Sequence, residues 1–149
     1  DLVGAICTNR HTSLDIIMHY QSIGRVGTKI WQNINWLRFH KNTDSVDRHK
    51  KKFEDKWEAF KICETLVNKQ YFGGNERFYV TFDCDHEKIY GNYSQKMIDE
   101  ALDEYIALHY RTKVKPLLNH TDSKGKKVYN SSTATAYVKK ELQQMYLKR

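Results

Sequence analysis

Apolar residues along the chain recur mainly at helical spacing. Between Ser13 and His40 the residues Ile16, Ile23, Val26, Ile30, Ile34 and Leu37 are separated by three, four or seven positions, the stripe of a core-facing helix. Gly24 and Gly27 fall inside it, each costing about 1 kcal/mol against alanine, and mark a kink or a close helix contact. After the polar break Lys41 to Asp44, a second stripe of Val46, Phe53, Trp57, Phe60 and Val67 predicts a helix to about Lys69. So short a link makes the two helices antiparallel neighbours.

Periodicity then fails from Gln70 to Gly91. Gly73-Gly74 reads as a stop, and although Phe78, Val80 and Phe82 alternate, one strand without a partner is not a sheet, so a loop with anchoring aromatics is expected. A third helix is predicted from Ser94, with Met97, Ile98, Ala101, Leu102, Tyr105, Ile106 and His109 inward, ended or bent at Val114-Lys115-Pro116. Asn119 to Asn130 reads as an exposed basic loop. Ser132 to Lys148 reads as a last helix with Ala134, Val138, Leu142 and Met145 on one face and Ser131 or Ser132 as cap. The pattern predicts an all-α fold, a compact, mostly antiparallel bundle of four to five helices, as a single domain over residues 1–149.

Charge adds a partner class. Lys plus Arg number 25 against 18 Asp plus Glu, a formal charge of +7, which attracts anionic lipid, acidic glycoprotein or nucleic acid. No run approaches the roughly 18 apolar residues of a membrane span. Cys7, Cys63 and Cys84 are an odd number, so at least one thiol is free or paired between molecules. Three acceptor triplets for N-glycosylation stand at Asn92, Asn119 and Asn130. A start at Asp1 is compatible with a processed, secreted protein and equally with a trimmed one.

Candidate chemistry is sparse. Arg48, Lys52 and Lys56, four apart, would stack along one helix face with Lys41, His49 and Lys51 nearby, a track for an anionic partner. The competing reading is a solvated face offset by Glu54, Asp55 and Glu58. Tyr20, Trp31 and Trp36 lie off the main stripe and, with Phe39, form a candidate apolar patch. Asp83-Cys84-Asp85-His86-Glu87 packs five ligand types together, but adjacent side chains cannot all converge on one ion, so no metal is expected. Cys63 beside a core stripe reads as an inert thiol. No nucleophile elbow, phosphate loop or dinucleotide fingerprint occurs, so no enzyme activity and no cofactor are expected.

Trp36-Leu37-Arg38-Phe39-His40, a short polar break, then Lys50-Lys51 and Trp57, with Gly91-Asn92-Tyr93 opening the third helix, resembles the abalone sperm acrosomal protein family of lysin and its larger fusogenic paralogue. The likeness spans residues 23–69 and 91–115. It implies an all-helical bundle with basic tracks and an apolar patch, and a secreted protein of the sperm acrosomal vesicle. By position it places Arg38, Arg48, Lys52 and Lys56 in a basic track, joined by Lys51, and Trp36, Leu37, Val46, Phe53 and Trp57 at the core or its boundary. Three cysteines, the aromatic stretch after Gln70 and the last helix depart from lysin. Fusion or destabilisation of gamete membranes is therefore expected ahead of dissolution of the egg envelope. The expected partner is an anionic membrane surface or an egg-coat glycoprotein, with a homodimer open. Nucleic acid is not expected, because the basic residues are scattered over every segment instead of concentrated on one reading helix.

Overall fold

The computed structural model describes residues 15–147; the start of the helix expected from Ser13, the Cys7 thiol and the end of the last helix at Lys148 lie outside them. Among the described residues there are three long helices: α1 (Trp57–Phe72), α2 (Gln95–Leu108) and α3 (Ser131–Leu142). A three-stranded antiparallel sheet accompanies them, in the order β1 (Trp36–His40), β2 (Tyr79–Asp83), β3 (Lys88–Gly91). The fold is mixed α/β, which corrects the all-helical expectation.

The first expected helix is where the difference begins. Its place is taken by a 3-10 turn at Ile23–Arg25, one helical turn at Thr28–Trp31 and strand β1. Ser22 caps the 3-10 turn through Gly24 N–H, and the Asp44 carboxylate takes the same N–H at 3.1 Å. A Cβ on Gly24 would overlap that carboxylate and the His49 imidazole, so glycine is required there for close approach. Trp36 to His40 has period two as well as part of a helical stripe. Phe39 is buried and Leu37 half-buried on one side, while Trp36, Arg38 and His40 are exposed on the other.

Strand β1 needed a partner that lies far along the chain. Pairing sets Leu37 opposite Phe82 and Phe39 opposite Val80, and β2 sets Phe82 opposite Ile89 across β3. Phe39, Val80 and Phe82 are thereby buried against α1, and Ile89 is buried on the strand that packs against Gln143–Leu147, each side chain contributing about 1.5–3 kcal/mol by leaving water. The segment expected as a loop, Gln70 to Gly91, thus holds two of the three strands.

Rings tie the layers together. Trp31 meets Phe53 at 4.9 Å, Phe53 meets Phe60 at 5.2 Å and Phe60 meets Phe82 at 5.5 Å between centroids, joining two single helical turns, α1 and β2. Ahead of α1 the second expected helix is broken into a 3-10 turn at Val46–His49, a helical turn at Lys50–Phe53 and a 3-10 turn at Glu54–Lys56. The break falls at Glu54, a non-glycine residue with φ of 51°.

Helix α2 begins as expected, with the Ser94 hydroxyl accepting from Met97 N–H. Two single turns follow, Tyr110–Lys113 and Lys115–Leu118, the second holding Pro116 in its first turn where no amide donor is needed. Helix α3 is capped by Asn130, not by Ser131 or Ser132: Asn130 Oδ1 accepts from Thr133 N–H at 2.8 Å and Thr133 Oγ1 accepts from Asn130 N–H at 3.0 Å. A π turn at Gln143–Leu147 then shifts the phase of the stripe. Met145, expected inward, is exposed, and Tyr146 and Leu147 are buried in its place.

Candidate docking face

One face of the sheet is covered by α1. The outer face carries Trp36, Arg38 and His40 from β1, Tyr79 and Thr81 from β2, and Tyr90 from β3, because Arg38 opposes Thr81, His40 opposes Tyr79 and Thr81 opposes Tyr90. Trp36 is 59% exposed and Tyr79 40%. Trp36 packs on Tyr90 at 6.2 Å, His40 on Tyr79 at 5.1 Å, and the Arg38 guanidinium lies 4.6 Å from the Tyr79 ring centre.

Lys41, the residue after β1, carries the strip to the end of α1. Its ammonium lies 5.9 Å from the ring centre of Tyr71 and 5.8 Å from that of Phe72, and Phe72 is 77% exposed. Among the described residues, Arg38, His40 and Lys41 have no carboxylate within 4.0 Å. The positive field of Arg38 and Lys41 is therefore unspent on internal ion pairs. It registers in His40, whose pKa is held below the ordinary value by partial burial and by the charges of Arg38 and His19. At the Trp36 end the Asp83 carboxylate is consumed by the β2–β3 turn, accepting from Asp85 N–H, His86 N–H and His86 Nδ1.

The basic track is dispersed. Arg38 sits on the sheet, Arg48 and Lys51 are exposed on different short turns, and Lys52 and Lys56 are half-buried. Lys52 Nζ donates to Gly24 O at 2.7 Å, a structural bond, and Lys56 lies 3.6 Å from Asp55. Spacing by four could not align these residues, because Arg48 lies in the 3-10 turn Val46–His49 and the break at Glu54 separates Lys52 from Lys56. The apolar patch also divides: Tyr20 and Trp36 are exposed, but Trp31 and Phe39 are each only 3% exposed and belong to the core. Of the residues that the family resemblance put at the core or its boundary, Val46 and Phe53 are buried, Leu37 and Trp57 half-buried, and Trp36 exposed.

Other polar clusters serve the fold. The Lys61 ammonium donates to Asp47 and Glu64 at 2.7 Å each, and Glu64 also accepts from Val46 N–H at 2.9 Å, which fixes the Val46–His49 turn on α1. The Glu58 carboxylate accepts from Tyr105 at 2.9 Å and Tyr146 at 3.0 Å and pairs with Lys113, tying α1 to α2 and to the C-terminal π turn.

Ser22, Asp44 and His49 meet, but with the carboxylate in the middle: Ser22 Oγ and His49 Nε2 both donate to Asp44 Oδ2, at 2.9 and 2.7 Å. A hydroxyl held by a carboxylate has no imidazole base to take its proton. Burial pushes the thiols of Cys63 and Cys84 up, that of Cys84 to about 12, which makes them poor nucleophiles at neutral pH. Among the described residues no three His, Cys, Asp or Glu side chains are grouped to hold a metal, and no helix is long and apolar enough to cross a membrane.

Sequence reasoning missed His40, Tyr79, Tyr90 and Phe72 as surface groups. The signal was the alternation of Trp36-x-Arg38-x-His40 against that of Phe78, Val80 and Phe82, two strands able to partner each other. No family model, curated protein or solved structure matches the chain.

Proposed function

We propose that the chain is a non-enzymatic, secreted fertilization protein of the sperm acrosomal vesicle that docks on anionic egg or sperm membranes and destabilises or fuses them. The observation that carries the docking is the strip formed by the rings of Trp36, Tyr79, His40 and Phe72 with the cations Arg38 and Lys41, which have no ion-pair partner among the described residues. Cations near an anionic leaflet each contribute about 1 kcal/mol, and Trp, Tyr and Phe partition into the headgroup region. The sperm setting comes from the lysin resemblance alone. That resemblance implies a helical bundle, whereas the segment that carries it is strand β1, so the reading leans on surface chemistry instead of a shared fold.

A second reading is lysin-like dissolution of the egg envelope by binding its glycoproteins. Arg38 favours it to the extent that a planar guanidinium held on a tyrosine face suits acidic sugar or protein carboxylates.

Vesicle leakage separates the readings. The protein is expected to bind and leak vesicles containing phosphatidylserine, more weakly as salt rises, at concentrations that leave isolated egg envelopes intact. Dissolved envelopes with intact vesicles would transfer the function to the second reading. Selective binding of nucleic acid over both would overturn each.

A further inference from the structure

The three glycosylation triplets are not equivalent once the sheet is in place. Thr81 opposes Tyr90 and Val80 opposes Gly91, the last residue of β3, so Asn92 leaves the sheet next to Tyr79, the first residue of β2. Side chains alternate across a strand: Tyr90 belongs to the outer row, and a Cβ on Gly91 would meet Val80 of the inner row. Asn92 lies in the bend that directly follows β3, at the Tyr79 and His40 end of the strip.

Asn92 is exposed, and among the described residues its amide has no hydrogen-bond partner. Tyr93, between Asn92 and the hydroxyl of the triplet, turns back to donate to Ile89 O. Asn119 and Asn130 border the exposed loop between Leu118 and α3, away from the strands, and Asn130 Oδ1 is engaged as the cap of α3.

We propose that Asn92 is an N-glycan acceptor and that its glycan stands over the Tyr79 and His40 end of the strip, so the glycan holds docking in check in the secreted chain and its removal releases it. This rests on the strip being the docking face. The donor is a lipid-pyrophosphate-linked oligosaccharide. The Asn92 amide nitrogen bonds to the anomeric carbon as the bond from that carbon to the pyrophosphate oxygen breaks. One amide proton passes to the transferase's base and the lipid pyrophosphate leaves. The transfer takes place on the extended chain, before Ser94 caps α2. A glycan is bulky and hydrated, so it holds a headgroup layer away from rings that must reach it.

The test uses the full chain secreted from eukaryotic cells, compared with the unmodified bacterial product, with Asn92→Gln and with the double variant Thr121→Ala/Ser132→Ala, which removes the other two triplets and leaves the Asn130 cap of α3 in place. Intact mass before and after endoglycosidase reads occupancy, and phosphatidylserine vesicles are the binding probe. The expected result is occupancy at Asn92 and binding weakened about tenfold, restored in Asn92→Gln but not in the double variant. An unmodified Asn92 in the secreted chain overturns the acceptor assignment. A glycoform that binds as well as Asn92→Gln overturns the gating. If the unmodified product itself fails to bind, the docking reading and the gating fall together, while mass still decides the acceptor assignment.

Discussion

Arg38 and Tyr79 are diagonal neighbours across two strands, with the guanidinium carbon 4.6 Å from the ring centre, although the register sets Arg38 opposite Thr81 and Tyr79 opposite His40. The ring holds the guanidinium by its quadrupole, so the charge is positioned without being neutralised. A carboxylate in the same place would have positioned it too, at the expense of its attraction for an anionic partner.

Removing that charge should therefore reduce docking and spare the fold. Arg38→Gln is expected to weaken binding to phosphatidylserine vesicles about fivefold, near 1 kcal/mol, and to flatten the salt dependence, with thermal stability almost unchanged. Trp36→Ala and Phe72→Ala should weaken binding while leaving the salt dependence intact, since those side chains act by partitioning. Cosedimentation at two salt concentrations reads both. Binding unaltered in all three would remove the strip from the docking face.

The depressed pKa of His40 predicts a pH effect of two signs. The folded state disfavours the imidazolium, so His40 contributes stability that is present above its unfolded value of 6.5 and is lost as the pH falls through the lower folded value. Binding moves the other way: an anionic surface favours the imidazolium, so docking should strengthen as the pH falls below about 6.5. In His40→Gln both trends should shrink. A binding profile identical in wild type and variant would exclude His40 from the contact.

Glu58→Gln should damage stability more than any surface charge. Burial pushes the Glu58 carboxyl up, but the hydrogen bond and charge of Lys113, with the hydroxyls of Tyr105 and Tyr146, outweigh it and hold the group below its ordinary value. Its stabilisation is present above the unfolded value and is lost as the pH falls through the folded one. The variant leaves Lys113 without its counter-charge and should cost about 1–3 kcal/mol in denaturant unfolding, with a flatter stability profile below pH 5. A profile with wild-type slope would place the acid sensitivity elsewhere.

Gly24→Ala tests the clasp that replaces the first expected helix. The added methyl displaces Asp44 from Gly24 N–H, Ser22 and His49 together, a loss of about 1–3 kcal/mol. Were Ser22 to Leu37 one helix, the same change would stabilise it by about 1 kcal/mol. The sign of the change in urea midpoint decides between the two.

Residues with one workable period were legible in the sequence. Ile98, Leu102, Tyr105 and Ile106 lie inward on α2, and Phe60 and Val67 inward on α1, as their spacing requires. Ser94 stands where a cap is needed, and Asn119 to Val128 is exposed as its composition demands. Local backbone geometry and local burial decide such segments.

Trp36 to His40 was different, because the same residues satisfy a helical stripe and a strand alternation, and only pairing with Tyr79 to Asp83, some forty residues later, decides between them. The docking strip depended on that decision. A period of two sends Arg38, His40 and Tyr79 to one face, while a period of 3.6 would have scattered them. Charge and the number of rings were set by the sequence. Which rings stay in water was left to the tertiary structure, since a side chain's exposure depends on what packs over it, and α1 could cover only one face of the sheet.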